Sequence, residues 1–494
     1  MPETPATTDT LLHRTARGAG WVMAWRWGMR ALGLVSTLIL VRLIAPADFG
    51  IIALATSFMQ TIDGMLTLGT EEAVIRERAP GRDFYDTAFT MNLLRGLSVT
   101  ALVAALAWPA AHFYDDPRLG PVLLFIAALP LLDGLSNIGT VDFRRDLTFH
   151  KEFAIMVLPK LAGIIAAISA AFLTHSYVAM LCGIAANRSL RVVMSYVMHP
   201  FRPRLSLTAW QGLAGYSVWT WVLSLAVLVR DRADSLMLGR MMNTTAVGFY
   251  AVGAEIAALP MTDLIEPLGR AAFSGFAAAR THAVDLAETW LRLIGSAALL
   301  TLPAGVGLSL VAAPLVALAF GPGWDEAVPV LRILSLSFTI LVFGHMSEHL
   351  LSVHALLGRL VGMTLLGAAV RVALLFALIP PLGLTGAALA AAIGILVDQT
   401  LRVGSTMRHF RIRVTRLLAQ VWRPACATAA MAAVLIWTGL GWTNATGTLP
   451  LIAATILGAV VYSGMLLLCW WAAGSPSGPE RDLLTVLRRK AASL

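Results

Sequence analysis

The sequence predicts an all-α integral membrane protein with about 14 transmembrane helices. Hydrophobic residues make up 58% of the 494 residues and charged residues only 13%, whereas a soluble domain carries about a quarter charged residues. The mean hydropathy is +0.76. Apolar stretches recur along the chain, and each approaches the roughly 20 helical residues that cross a bilayer core. The predicted spans are 19–41, 47–70, 87–112, 119–141, 153–174, 176–197, 213–238, 247–270, 290–313, 327–352, 358–380, 384–407, 424–441 and 449–472.

Arginine and lysine residues predict the orientation of these spans. They gather in alternate loops, for example at Arg144 and Arg145, and the intervening turns hold only Arg42, Arg118 and Arg240. Because loops rich in positive charge stay on the cytoplasmic side, both termini are predicted to face the cytoplasm. The first span then serves as a retained signal anchor.

Two halves of the chain resemble each other. Three residues around one outer turn recur around a later outer turn with the same spacing between them. Arg42, Gly50 and Ala53 match Arg240, Gly248 and Ala251. Six spans separate the copies, which indicates parallel repeats of the kind found in transporters; a coincidence of apolar composition is the alternative. The predicted organisation is a cytoplasmic segment 1–18, six-helix lobes 19–200 and 201–420, two additional helices in 421–473 and a basic cytoplasmic tail 474–494.

The composition excludes several classes of protein. The net charge of +9 lies in loops, where it serves topology and attraction to anionic lipid, so no nucleic-acid partner is predicted. Cys182, Cys426 and Cys469 are far apart and show no metal or disulfide spacing. The outer turns are too short to form a catalytic domain, and no nucleotide-binding loop or catalytic triad is recognisable. The sequence therefore predicts a transporter without a cofactor, and argues against a membrane polymerase or glycosyltransferase.

Five sequence stretches resemble one known family: RLIAPADFG at 42–50, FYDDPRL at 113–119, FRRDLTFHKEF at 143–153, ADSLMLGR at 233–240 and FGPGW at 320–324. They look like the polysaccharide transporter family of the multidrug/oligosaccharidyl-lipid/polysaccharide exporter superfamily, whose members include flippases for O-antigen and colanic-acid repeat units. The resemblance covers roughly residues 15–420.

This resemblance implies a flippase of the bacterial inner membrane that works by alternating access. Its substrate would be an undecaprenyl-diphosphate-linked oligosaccharide, moved from the cytoplasmic to the periplasmic leaflet for lipopolysaccharide or exopolysaccharide synthesis. A polysaccharide polymerase and a chain-length regulator are the implied partners. Two activities of the same superfamily stay open as alternatives, a cation-coupled drug or metabolite exporter and a lipid II flippase.

A diphosphate can cross hydrocarbon only if cations line a wet cavity, because an unpaired charge is heavily penalised there. Ionisable residues inside predicted spans are therefore candidate substrate ligands. The predicted cationic cavity contains Arg26, Arg30, Arg95, Lys160, Arg230, Arg232 and Arg371. The alternative is that the long side chains, above all Arg26, Arg95 and Lys160, reach out to the membrane interface.

Span seven carries the densest group of charges. Arg230 and Asp234 are four residues apart and can pair on one helical face, while Asp231 and Arg232 point elsewhere. The group is interpreted as a gate of ion pairs in the lumen. Ordinary charges at the outer interface are the alternative.

Carboxylates and histidines are candidates for coupling transport to H⁺ or Na⁺. A desolvated carboxylate such as Glu255 or Asp398 could exchange an ion, and a structural pair with a neighbouring arginine is the alternative. His345, Glu348 and His349 follow a spacing of three to four residues on one face of span ten. Histidine titrates near neutral pH, so this stripe could relay protons; packing with satisfied hydrogen bonds is the alternative, and metal binding is not favoured.

Overall fold

The computed structural model describes residues 28–475 apart from 68, 78–79, 147, 214–217, 261–285, 355 and 443–446. The described residues form helices and turns without a β-strand, which confirms the predicted all-α class. The chain divides into two compact units, with the boundary between residues 217 and 218. The N-terminal segment, Arg26 and nearly all of the basic tail lie outside the described residues.

The N-terminal unit consists of long helices joined by short helical connectors. Its helices are α1 (28–43), α2 (Pro46–Met65), α3 (Thr70–Arg76), α4 (Arg82–Phe113), α5 (Leu119–Gly134), α6 (Asp142–Arg145), α7 (Phe149–Thr174), α8 (Val178–Met198) and α9 (Trp210–Leu213). A proline starts α2, where its missing N–H costs no helical hydrogen bond.

Glycines allow α4 and α5 to pack closely. A Cβ on Gly96 would lie 2.4 Å from the carbonyl oxygen of Pro130, and one on Gly134 would lie 2.7 Å from that of Asn92. Membrane helices associate through such small residues, since lipid offers no hydrophobic driving force between them. Thr100 Oγ1 adds a hydrogen bond of 2.7 Å to the carbonyl oxygen of Ala127.

The C-terminal unit is built in the same way. Its helices are α10 (Val218–Met241), α11 (244–260), α12 (Leu286–Leu310), α13 (Ala312–Ala319), α14 (Ala327–Val353), α15 (Leu357–His409), α16 (Val414–Trp437) and α17 (Thr448–Ala472). α12 and α14 form its apolar centre, with Trp290, Ile294 and Met346 fully buried.

α15 consists of two helices that meet at a sharp break. Gly383 has φ 56° and ψ −131° and follows Pro380 and Pro381. Glycine tolerates this left-handed φ, and two prolines remove hydrogen-bond donors. The 53 residues of α15 would extend about 80 Å if straight, far more than one bilayer core. The break therefore separates the spans that the sequence predicts at 358–380 and 384–407.

Eight of the described helices are long and apolar enough to cross a membrane, and a ninth qualifies if α5 and the bent segment 138–145 count as one span. Many of their apolar side chains are exposed, including Leu173 at 84% and Leu449 at 79%. Such exposure suits contact with lipid. The integral membrane fold is thus confirmed, and the number of fourteen spans stays a prediction.

Candidate functional site

A polar cavity of about 430 Å³ opens in the N-terminal unit. It lies between the C-terminal parts of α2, α5 and α8 and the N-terminal halves of α4 and α7, beside the connectors 66–81 and 138–148. We call it the arginine cavity because four arginines line it together with three carboxylates: Arg95, Arg144, Arg188, Arg191, Asp63, Glu71 and Asp133.

Two of these arginines are held in ion pairs between helices. Arg95 of α4 pairs with Asp63 of α2. Arg188 of α8 places its Nη1 atom 2.6 and 2.7 Å from the two carboxylate oxygens of Asp133 on α5. The side chains are only 17 to 32% exposed, so the pairs stay ordered and their charges offset each other.

The other two arginines are held less closely. Arg144 contacts Glu71 and Glu152 at 3.4 Å each, and its side chain is 45% exposed. Arg191 is half-buried and makes neither an ion pair nor a hydrogen bond with any residue that the structure describes. It lies three residues after Arg188 and therefore on the same helical face. The cavity consequently presents one guanidinium that is not paired with a described carboxylate.

A second cavity of about 360 Å³ lies between α1, α2, α7 and α8. Ser36, Lys160, Asn187 and Arg188 supply its polar lining. Lys160 Nζ donates a hydrogen bond of 2.9 Å to the carbonyl oxygen of Met29. Arg188 thus lines both cavities.

The C-terminal unit buries a further set of charges. Arg371 of α15 binds Asp234 of α10 through two nitrogens, with Nε 2.9 Å from Oδ1. Tyr250 of α11 donates its hydroxyl to the other carboxylate oxygen. The side chains of Arg371 and Asp234 are 11% and 4% exposed. Both oxygens of Asp234 are therefore occupied.

The expected pairing of Arg230 with Asp234 is wrong. Arg230 Nε lies 2.8 Å from Asp231, and its Nη1 lies 3.3 Å from Asp398 on α15. Asp234 binds Arg371 instead. The packing of α10 against α15 lets Arg371 donate from two nitrogens, and such bidentate pairs are stronger than a single contact.

Arg402 connects three helical segments. Its Nε donates to Asp398 at 3.0 Å, its Nη2 donates to Thr364 at 3.0 Å, and its Nη1 donates to Glu348 of α14. We call the linked residues Arg230, Asp231, Glu348, Asp398 and Arg402 the Arg402 cluster.

The remaining predicted residues fall in different places. Arg30 is half-buried on α1, and Glu255 is exposed on α11. Arg232 is half-buried and has no hydrogen bond or ion pair with the described part of the chain. His349 lies one residue after Glu348. No group of three or more His, Cys, Asp or Glu side chains among the described residues could hold a metal ion.

Sequence reasoning missed three arginines that the structure places in these sites. Arg188 and Arg191 stand three residues apart inside an apolar span, and Arg402 follows Asp398 by four residues. Both spacings put the side chains on one helical face. These signals were present in the sequence, but their partners Asp133 and Glu348 come from other helices.

A protein-family comparison decides the classification. The family described as "Polysaccharide biosynthesis protein" matches residues 39–329, more than half of the chain. This protein belongs to that family. The resemblance predicted from the sequence motifs is thereby confirmed.

Individual relatives also carry names from polysaccharide biosynthesis. The lipopolysaccharide biosynthesis protein WzxC of Escherichia coli strain K12 is 22% identical over 329 residues, which cover 66% of this chain and 67% of WzxC. The succinoglycan biosynthesis transport protein ExoT of Rhizobium meliloti strain 1021 is 23% identical over 481 residues, 93% of this chain and 94% of ExoT. The protein is a multi-pass membrane transporter of polysaccharide biosynthesis and not an enzyme.

Solved structures of other proteins have a similar fold. The lipid II flippase MurJ in an inward closed conformation has a TM-score of 0.74 at 12% identity and covers 91% of this chain and 98% of its own. An inward-facing multidrug resistance MATE family transporter of the MOP superfamily has a TM-score of 0.62 at 15% identity, covering 78% of this chain and 94% of its own.

Proposed function

We propose that this protein is a flippase for undecaprenyl-diphosphate-linked oligosaccharide repeat units, and that it works by alternating access. The unit is taken up from the cytoplasmic leaflet and released into the periplasmic leaflet, where a polysaccharide polymerase and a chain-length regulator act next. The observation that carries the proposal is the arginine cavity with its uncompensated Arg191. Membership of the polysaccharide biosynthesis family supports the class of cargo.

A diphosphate needs cations that are not already neutralised. Arg95 and Arg188 are held by Asp63 and Asp133, so they orient the cavity and contribute little net charge. Arg191 can offer its planar set of N–H donors to phosphate oxygens in a bidentate arrangement. Arg144 can join it, because its contacts to carboxylates are long and its own side chain is 45% exposed, and long exposed pairs contribute little free energy.

The position of the cavity suits a cytoplasmic substrate. It lies at the end of the N-terminal unit that carries Arg76 and Arg145 in its connectors and Arg82 at the start of α4. Basic loops of this kind favour the cytoplasmic side, where the lipid-linked unit is assembled. With this orientation both chain termini face the cytoplasm, and the cavity opens toward the leaflet that supplies its substrate.

The test measures lipid-linked oligosaccharide and surface polymer in a strain that lacks this gene. We expect complete repeat units to accumulate on the lipid and surface polymer to be lost. Unchanged lipid-linked pools with normal polymer would contradict the flippase and favour a drug or metabolite exporter, which susceptibility tests would then reveal.

The role of Arg191 is tested by returning the gene as Arg191→Gln. Loss of one charged hydrogen-bonding group costs about 1.5–3 kcal/mol, so we expect polymer export to fall roughly 10- to 100-fold while repeat units accumulate. Arg292→Gln is the matched control, since Arg292 is an exposed arginine of α12. Wild-type export by Arg191→Gln protein would refute the role of the arginine cavity.

A further inference from the structure

The segment between α8 and α9 is bound along α4 by its backbone. We call residues 199–209 the strap. The backbone N–H of Arg204 donates a hydrogen bond of 2.8 Å to Asp86 Oδ1, and that of Ser206 donates one of 2.9 Å to Thr90 Oγ1. Asp86 and Thr90 are both buried. Because buried polar groups need hydrogen-bond partners, these side chains of α4 fix the strap in one register.

Further hydrogen bonds hold both ends of the strap. The backbone N–H of Ala209 donates to Thr87 Oγ1 at 3.2 Å, and Thr87 is fully buried. Near the other end, Asn137 Nδ2 donates to the carbonyl oxygen of Phe201 at 2.7 Å. Backbone groups that are paired with buried side chains resist local opening. The strap is therefore an ordered part of the N-terminal unit.

The strap covers the side of α4 that faces lipid further along the helix. Residues spaced by three or four share a helical face, and one such series is Thr87, Thr90, Leu94 and Leu97. The strap binds the two threonines, while the side chains of Leu94 and Leu97 are exposed. Exposed apolar side chains on a membrane-spanning helix suit contact with lipid. The outer surface of the strap therefore points toward the surrounding membrane.

The length of α4 places the strap at the depth of the lipid headgroups. The 32 residues of α4 extend about 48 Å, whereas a hydrocarbon core is roughly 30 Å thick. The surplus lies at the end that carries Arg82, Asp83 and Asp86, because the other end stays apolar up to Phe113. The strap contacts α4 at this charged end.

The outer surface of the strap is apolar and basic. Leu205 and Leu207 alternate with the residues that bind α4, and they are 72% and 47% exposed. Trp210, directly after the strap, is 53% exposed. The Arg204 side chain is exposed and makes no hydrogen bond or ion pair with any residue that the structure describes. Tryptophan is enriched at membrane interfaces, and basic residues near a membrane surface attract anionic lipids.

We propose that the strap is a lipid-binding surface of the cytoplasmic leaflet. Leu205, Leu207 and Trp210 insert among the first methylene groups of the acyl chains, and the guanidinium of Arg204 binds the phosphate of an anionic phospholipid. Lipid fits this surface better than a protein partner does, because the strap lies on the lipid-facing side of α4 and at headgroup depth.

The strap and the arginine cavity lie on opposite sides of α4. Asn92 and Arg95 line the cavity, and Asn92 lies about 200° around the helix from Thr90. Lipid bound to the strap therefore sets the depth of the cavity relative to the headgroups, where the diphosphate of the cargo enters. This role at the cavity rests on the proposed flippase function, whereas the membrane contact does not.

The first test locates the strap by fluorescence quenching in the full-length protein. The three native cysteines are replaced by alanine, and bimane is attached to Leu207→Cys in phosphatidylcholine–phosphatidylglycerol vesicles. Leu97→Cys is the lipid reference, and Asp325→Cys, in an exposed turn, is the water reference. We expect acyl-brominated lipid to quench the label at 207 as it does at 97. Quenching at 207 by aqueous iodide and not by brominated lipid, which is also the result for a protein-binding surface, would overturn the proposal.

The second test asks whether the bound lipid is anionic. Quenching of the label at Leu207→Cys is compared between brominated phosphatidylglycerol and brominated phosphatidylcholine. One basic residue near the surface favours anionic lipid about fivefold, so Arg204→Gln should reduce the preference for phosphatidylglycerol by about that factor. Arg408→Gln, which removes an exposed arginine of the C-terminal unit, should leave it unchanged. Equal quenching by the two lipids, or a preference unaltered in Arg204→Gln, would overturn the anionic site.

The third test concerns the role at the cavity. The gene is returned to the deletion strain with Leu205→Asp and Leu207→Asp together, and we expect polymer export to fall at an unchanged amount of membrane protein. Thr208→Asp, which places the same charge at an exposed polar position of the strap, is the matched control and should export normally. Normal export by the double variant would overturn the role at the cavity. If the unaltered gene does not restore polymer, the flippase function is refuted, and the quenching tests alone decide on the membrane contact.

Discussion

Replacing Arg371 with methionine should strongly destabilise the C-terminal unit. The substitution removes the two nitrogens that bind Asp234 and leaves this carboxylate with the hydroxyl of Tyr250. Because the Asp234 side chain is only 4% exposed, water cannot replace the lost guanidinium. Methionine preserves most of the side-chain volume, so the effect reports on charge and not on a cavity.

The size of the loss follows from burial. Breaking a buried ion pair by removing one partner costs about 3–5 kcal/mol, whereas replacing both partners by apolar groups is often close to neutral. We therefore expect Arg371→Met to lower the free energy of unfolding by about 3–5 kcal/mol. Combining it with Asp234→Leu should recover most of that loss.

The assay is steric trapping of the full-length protein in bicelles, which measures the free energy of unfolding in a lipid environment. The control is Arg292→Met, which removes an arginine whose side chain is 64% exposed, so about 0–1 kcal/mol is expected. Equal losses in the two single variants would refute the reasoning. So would a double variant that is no more stable than Arg371→Met.

Two further predictions concern packing and pH. Gly344→Ala should lower the free energy of unfolding by about 1–3 kcal/mol, because the new methyl group would lie 1.5 Å from Gln399 Oε1. The control is Gly404→Ala, whose methyl group meets nothing within 4 Å and should stabilise the helix by up to about 1 kcal/mol. A higher melting temperature for Gly344→Ala than for Gly404→Ala would contradict this prediction. Burial lowers the pKa of His199, which follows α8, below its ordinary 6.5. Its Nδ1 accepts a hydrogen bond of 3.2 Å from the backbone N–H of Phe201, and only an unprotonated Nδ1 can accept. The neutral imidazole therefore contributes fully to folding stability above about pH 6.5, and this contribution is lost as the pH falls through the pKa of His199 in the folded protein. His199→Gln should flatten the decline of the melting temperature between pH 7.5 and 5, and an unchanged slope would count against this.

The sequence alone determined the helical membrane class because membrane helices follow local rules. Every spanning segment must satisfy its own backbone hydrogen bonds, so apolar length and loop charge were enough to predict the helical class. The same holds for the break at Gly383, where Pro380 and Pro381 marked the end of a span. Motifs such as FGPGW at 320–324 were enough to predict the family.

Only the tertiary structure decided which charges meet. The sequence could show that Arg230 and Asp234 share a face, but it could not show that Arg371, 137 residues away, binds Asp234 more favourably. Arg191 stands out only because the described structure gives its neighbour Arg188 a carboxylate and gives Arg191 none. Ion pairs between helices depend on packing distances of a few ångströms, and helical spacing along one chain segment carries no information about them.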